Sequence, residues 1–186
     1  MAEHEMIDLL NEEGKIVGTV DKAVAHRDEL WHKSVHVWVL NEKNEILMQK
    51  RCAQKKFFPN HWDVSFAGHI GAGESSSLTA VREGKEELGI TLKESDLEFL
   101  FTIKEKFAWA NIQSNEFVDV YLMRTNLKVE DFVYQQEEVE EARYFSLKDF
   151  FANTKKEGVF PHFEEYELLK KHFEKTIDLT TGQEMQ

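Results

Sequence analysis

The chain has 186 residues and a mass of 21.8 kDa, with 41% hydrophobic and 12% aromatic residues. That is enough for one domain with a self-sufficient core, and it excludes a disordered chain and a two-domain one. The 23 Lys and Arg against 35 Asp and Glu give a formal charge of −12, which excludes a reader of the nucleic-acid backbone and still allows a small basic patch for a phosphate ligand.

Met6 to Leu10 and Lys15 to Val20 are predicted as short strands around the turn Asn11-Glu12-Glu13-Gly14. With a short helix capped by Asp21 and running through His26, they form an N-terminal extension over residues 1–30 of the same domain. The free edge of this hairpin suits pairing in a homodimer. Ser34 to Leu40 and Glu45 to Arg51 read as strands around the turn Asn41-Glu42-Lys43-Asn44, and Trp62 to Ala67 as another strand ending at Gly68. Ser75 to Leu88 reads as a helix, with Ser75 as N-cap, an apolar side of Leu78, Val81 and Leu88, and Gly89 as a left-handed stop. Leu97 to Lys106, Glu116 to Met123 and Glu141 to Phe145 read as strands, Leu147 to Asn153 and Phe163 to Phe173 as helices. The main domain is then 31–175, followed by a polar, loose tail at 176–186. Mixed strands and helices without strict βαβ alternation predict an α/β sandwich with a mixed sheet.

Cys52 is the single cysteine, so neither an internal disulfide nor a thiolate metal cluster is available. The start, Met1-Ala2-Glu3-His4-Glu5, has no basic stretch followed by an apolar run. The longest apolar run, Val35 to Leu40 around His36, is far below a membrane span. A cytoplasmic chain with no membrane partner is expected.

Gly68 to Ile90 carries the chemistry. Glu83, Glu86 and Glu87 stand at i, i+3 and i+4 of the predicted helix, so their carboxylates share one face. Like charges at that spacing destabilise an isolated helix, whereas converging carboxylates suit hard divalent cations such as Mg²⁺ or Mn²⁺. Arg82 braces one glutamate from beside the cluster. Gly68, Gly71 and Gly73 permit a tight loop that returns Glu74 toward the helix.

Gly68, Glu74, Arg82, Glu83, Glu86, Glu87, Gly89 and Ile90 match eight of the nine fixed positions of the Nudix box, G-x5-E-x7-R-E-U-x-E-E-x-G-U. The departure is Gly84, where the pattern has a bulky apolar residue; it weakens the helix by about 1 kcal/mol relative to Ala and lets a neighbour pack closer. The segment thus resembles the Nudix hydrolases. The resemblance implies an α/β/α sandwich, hydrolysis of a diphosphate linkage in a small molecule, metal held by Glu83, Glu86 and Glu87 with Glu74 assisting, and Arg82 orienting a glutamate. The proton acceptor is Glu87 or Glu83, with Glu116 as an outside contributor.

From Asn11 to Glu116 the chain also resembles the Nudix branch of the type I isopentenyl-diphosphate isomerases. By that resemblance His26, His32, His69 and Glu116 fall on metal-ligand positions, with Ser114 in place of a second glutamate, and Arg51 and Lys55 fall on residues that face the diphosphate. The isomerase cysteine is Ala67 here, and a methyl transfers no proton. The isomerase box lacks glutamates at the positions of Glu83 and Glu86, which this chain has. A hydrolase on an isomerase-like scaffold is expected, acting on a nucleotide, a nucleotide derivative or a prenyl diphosphate. An isomerase and a non-catalytic ligand sensor are the alternatives. His36 is given no role, Trp62 is expected beneath the loop before the helix, Trp109 in a loop, and the run Glu137 to Glu141 as a solvated turn.

Overall fold

A computed structural model describes residues 5–110 and 112–185. Met1 to His4, on which the reading of the leader rests, lie outside the described residues, as do Asn111 and Gln186. The strands β1 (Met6–Leu10) and β2 (Ile16–Asp21) form an antiparallel hairpin. A seven-stranded sheet comprises β3 (Trp31–Leu40), β4 (Glu45–Arg51), β5 (Trp62–Asp63), β6 (Phe66–His69), β7 (Leu97–Trp109), β8 (Ile112–Arg124) and β9 (Val139–Ser146). Its order is β5-β4-β3-β8-β7, with β6 also on β3 and β9 also on β4. The β3–β8 pair is parallel and the other pairs are antiparallel, so the sheet is mixed as expected.

Alternation along β3 sets the layers. Val35, Val37 and Val39 share a core with Ala80 and Leu88 of α2 (Ser76–Leu88). Trp38 and Leu40 point to the other side, toward Phe150 of α3 (Leu147–Asn153) and Tyr166, Leu169 and Phe173 of α4 (Phe163–Phe173). Helices therefore cover both faces, giving an α/β/α sandwich. Each buried side chain of this size contributes about 1.5–3 kcal/mol.

The expected strand at Trp62 to Ala67 is two strands, β5 on β4 and β6 on β3. The break has a cause at Ser65. Its hydroxyl accepts from Val39 N at 2.9 Å and donates to Leu47 O at 2.6 Å. β3 and β4 pair only at Leu40 and Ile46, so this side chain supplies bonds that the ladder does not. The chain thereby crosses from one strand's edge to the other's just before the site.

Two other expectations need correction. Leu78 of α2 is 49% exposed, and the buried side runs through Ala80, Gly84 and Leu88 instead. The tail is not loose: Ile177 is buried in the core with Phe173, and Asn44 Nδ2 donates to Gly182 O at 3.0 Å. One apolar anchor in a polar segment suffices to dock it.

The N-terminal hairpin positions the loop before α2. Ile7 is buried and bridges to Gly71, Ala72 N donates to Met6 O at 2.9 Å, and Gly73 N to Asp8 Oδ2 at 3.2 Å. The short helix α1 (Lys22–Arg27) begins at Asp21, whose side chain accepts from Ala23 N. No helix among the described residues is long and apolar enough to cross a membrane.

Candidate active site

Ser75 caps α2 by accepting from Leu78 N, and Gly89 at φ +68° ends it. The buried side of the helix brings Glu83 onto β6. A Cβ at Gly68 would stand 2.1 Å from Glu83 Oε1, so only glycine leaves room for this carboxylate. Burial pushes the Glu83 carboxyl up to about 7, and nearby Glu86 adds to this while Arg82 opposes it. Burial pushes Glu87 up to about 8, Glu83 adds to this, and Gln49 Nε2, donating to Glu87 Oε2 at 2.8 Å, opposes it. Gln49 Oε1 is buried with no hydrogen-bond partner.

The four acidic residues of the box are not equivalent. Glu83 and Glu87 point inward, whereas the Glu86 side chain is 49% exposed at the rim. Arg82 Nη1 donates to Glu83 Oε1 at 2.7 Å and to Glu86 Oε2 at 3.2 Å. Its Nη2 lies 3.7 Å from Glu74 Oε2 and donates to His69 O at 3.4 Å. Glu74 also accepts from Thr79 Oγ1 at 2.8 Å. Arg82 thus draws Glu74, Glu83 and Glu86 together, and Glu87 stands apart on Gln49.

On the opposite face of β3 the three aligned histidines meet. The ring centroids of His26, His32 and His69 lie 5.0, 4.9 and 5.2 Å apart pairwise, and the Nε2 atoms of His26 and His69 are 3.1 Å apart. His32 Nδ1 donates to Leu30 O at 2.8 Å, which leaves Nε2 as a lone pair. That Nε2 is buried without a hydrogen-bond partner. Glu116 Oε1 lies 3.8 Å from it. Ser114 and Ser34 hydroxyls each donate to Glu116 at 2.6 Å. Burial alone would raise the Glu116 carboxyl, but His69, His32 and the two hydroxyls hold it well below the usual range. Burial, then His32, lowers His26, and burial keeps His69 well below its ordinary value against the pull of Glu116. Neutral imidazoles beside an ionised carboxylate are the protonation states that a metal ion needs. The orphaned His32 Nε2 points to the same use. Among the described residues Glu116 bonds none of the glutamates of α2.

The basic patch turns inward. Arg51 Nη1 donates to Asp63 Oδ2 at 2.9 Å and its Nε to Phe57 O at 3.0 Å, with the guanidinium over the Phe160 ring. Lys55 pairs with Glu138, and Lys50 lies 3.2 Å from Glu140. The run Glu137 to Glu141 is therefore engaged with the patch rather than simply solvated. Trp62 packs on Phe145 and Arg143, not beneath the loop before α2. Trp109 ends β7 and packs on Phe58 and His61.

Sequence reasoning missed a buried polar group made by His36, Asp63, Glu105, His162 and Glu165. One signal was present. His36 is in register with Trp38 on a strand whose alternate residues are valines, so both faces of that strand are buried and a histidine there needs a partner.

The NUDIX domain family matches residues 30–168. The chain belongs to the Nudix family. It is similar to an uncharacterized Nudix hydrolase of Clostridium acetobutylicum, 34% identical over 163 residues that cover 85% of this chain and 79% of that protein. It is 26% identical to isopentenyl-diphosphate Delta-isomerase 1 of Photorhabdus laumondii over 177 residues, covering 92% and 98% of the two chains. Both kinds of relative place this Nudix hydrolase in the isomerase-like branch. In fold it resembles a crystal structure from Deinococcus radiodurans at TM-score 0.71 and 20% identity, covering 90% of this chain and 98% of that one. Members of the Nudix hydrolase family act on pyrophosphate bonds and generally need divalent metal cations. The carboxylates of α2 fit that need, because Glu83, half-buried, and Glu87, buried, are inward oxygen donors one helical turn apart.

Proposed function

We propose that this Nudix hydrolase uses Mg²⁺ or Mn²⁺ to cleave a diphosphate linkage in a nucleotide, a nucleotide derivative or a prenyl diphosphate. The observation that carries this reading is the inward-facing pair Glu83, half-buried, and Glu87, buried, whose carboxyls are pushed up to about 7 and about 8. Arg82 donates to Glu83, and Lys55, itself paired with Glu138, acts on Glu87, so the pair is short of positive charge. Glu83, Glu86 and Glu87 would hold the cations, with Glu74 assisting. Bound cations neutralise the diphosphate and acidify a bound water. Glu87 or Glu83 would take a water's proton, in preference to Glu116, which lies on β8 and is tied to two seryl hydroxyls. Arg82 positions Glu83 through its 2.7 Å bond. Arg51 and Lys55 add positive charge where the substrate phosphates bind, and Arg51 Nη2 has no hydrogen-bond partner among the described residues.

His26, His32, His69 and Glu116 would hold a transition metal, since a mixed imidazole and carboxylate set suits one better than Mg²⁺. A phosphate-release screen over nucleotides, nucleotide sugars, dinucleotides and prenyl diphosphates, with Mg²⁺ and with Mn²⁺, tests the function. Turnover is expected for at least one class and is expected to vanish in the Glu86→Gln, Glu87→Gln double variant. Undiminished turnover in that variant refutes the assignment.

A further inference from the structure

The polar group on the α4 side of the sheet is drawn from the strands β3, β5 and β7 and from the start of α4. His36 comes from β3, Glu105 from β7, His162 from the residue before α4, and Glu165 from its first turn. His36 Nδ1 lies 2.8 Å from Glu165 Oε2. His162 Nδ1 lies 3.2 Å from Glu105 Oε2 and 3.9 Å from Glu165 Oε2. All four side chains are buried. Ligand atoms of His36, His162 and Glu165 lie within 4.8 Å of one another, and Glu105 touches this group through His162.

Their spacing is that of a coordination shell. Ligands at about 2.0–2.1 Å from a tetrahedral ion stand about 3.3 Å from one another, and the His36–Glu165 and His162–Glu165 contacts here are 2.8 and 3.9 Å. The outer contacts have the pattern that supports such a shell. His162 turns its other nitrogen, Nε2, to Asp63 Oδ1 at 2.9 Å, and Asp63 is in turn held by Arg51. That carboxylate fixes the ring and raises its basicity at Nδ1. Trp38 Nε1 donates to Glu165 Oε1 and so reserves Oε2 for the centre.

Charge gives a third argument. Asp63 balances Arg51, which leaves the two carboxylates Glu105 and Glu165 to be neutralised in the interior. Two protons held on the histidines do so by placing two imidazolium rings with centroids 4.7 Å apart. One divalent cation supplies the same charge while both rings stay neutral, so the exchange of two protons for one ion is charge-neutral.

We propose that His36, His162 and Glu165 form a transition-metal site, with Glu105 beside it as a charge-balancing carboxylate, separate from the box carboxylates and from His26, His32 and His69, that takes a four-coordinate divalent cation such as Zn²⁺ or Co²⁺ with water as the fourth ligand. Its protein ligands are Nδ1 of each histidine and Oε2 of Glu165, a set that favours such ions over Mg²⁺. The bound ion pins α4 to β3.

Cobalt binding tests the proposal without reference to turnover. The full chain carrying His26→Ala and His69→Ala, which removes the other histidine set, is stripped with a chelator and titrated with Co²⁺ alone. About one equivalent is expected to bind with the strong visible absorption of a four-coordinate ion. The same chain with Glu105→Gln, a near-isosteric change, is expected to lose roughly 10–100-fold in Co²⁺ affinity. No tight Co²⁺ binding in the double variant overturns the proposal and leaves an imidazolium–carboxylate network. So does a weak, six-coordinate spectrum, or affinity unchanged by Glu105→Gln.

Discussion

Glu83 lies directly on the backbone of Gly68, and a Cβ at that glycine would stand 2.1 Å from its Oε1 and 2.4 Å from its Cγ. The glycine that opens the box is thus a seat for one of its carboxylates, as well as part of a turn. Gly68→Ala is expected to push the flexible end of Glu83 aside while β6 keeps its pairing with β3. Activity should fall roughly 10–100-fold, as for loss of a group that orients a ligand, with little change in melting temperature. Steady-state kinetics and a thermal melt on the same preparation check both halves.

Glu87→Gln separates function from stability. The amide keeps the shape of the side chain and can still accept from Gln49 Nε2, but it removes a buried carboxylate that burial has pushed up to about 8. Its new N–H can also reach Gln49 Oε1, which has no partner in the native protein. Satisfying such an atom recovers about 1–3 kcal/mol. The variant should lose roughly 10²–10⁴-fold in kcat and melt higher than wild type when both are free of metal. Differential scanning calorimetry in a chelator, beside a phosphate-release assay with Mg²⁺, gives the two numbers.

Metal and protons compete at the same carboxylates, and the sign of the pH effect follows. In the metal-free protein Glu83 and Glu87 have folded pKa values of about 7 and about 8, above the ordinary 4.5. The folded state then binds more protons than the unfolded one across this interval, so stability falls as pH rises from 4.5 toward 8. His26 and His69, which are lowered, pull the other way below about 6.5, whereas His162, raised to about 10, adds to the fall, so the Mg²⁺-dependent part of the shift is the quantity to read. Added Mg²⁺ should therefore raise the melting temperature more at about pH 8.5 than at about pH 6. Equal shifts at the two pH values would show that the cation does not bind the pair.

Ala67 stands opposite His36 in the β3–β6 register, two residues from His69. A methyl at this position cannot protonate or deprotonate carbon. Incubation with isopentenyl diphosphate in D₂O is expected to leave no carbon-bound deuterium in recovered isoprenoid. Mass spectrometry reads the result, and incorporation above the no-enzyme control would restore an isomerase.

The parts of the structure that the sequence made legible are those set by local rules. Ser75 and Gly89 mark the ends of α2 because capping and the left-handed stop are backbone chemistry within one turn. An α/β sandwich with a mixed sheet was legible too, since it follows from strand and helix periodicities in sequence, and the resemblance to the Nudix hydrolases implied its α/β/α layering. Features set by distant partners were not. Leu78 faces solvent because β6 and Glu83 choose which side of α2 is buried. The strand at Trp62 breaks because Ser65 meets Val39 and Leu47, residues far away in the chain. Arg51 was legible as a cation at a strand end, whereas its bond to Asp63 depends on the β4–β5 pairing. His36 could not be given a role because its partners, Glu165 and His162, arrive more than a hundred residues later.

Gly84 is the one departure from the box, and its surroundings explain it. A Cβ there would lie 2.6 Å from Leu92 Cδ2 and 3.1 Å from Phe66 Cζ. Leu92 has taken the volume that a bulky residue at this position would fill, so the core is packed by a different arrangement of the same apolar mass. Restoring the family residue with Gly84→Leu should therefore destabilise the protein by about 1–3 kcal/mol, the usual cost of overpacking, even though leucine is the better helix former. Adding Leu92→Ala should recover most of that loss, because it vacates the space the new side chain needs. Activity at a temperature where all three proteins are folded should be similar, since neither residue carries a carboxylate. Urea denaturation of Gly84→Leu, Leu92→Ala and the double variant forms a double-mutant cycle. Additive losses, with no rescue, would show that α2 is not held at this distance from Phe66 by the absence of a side chain.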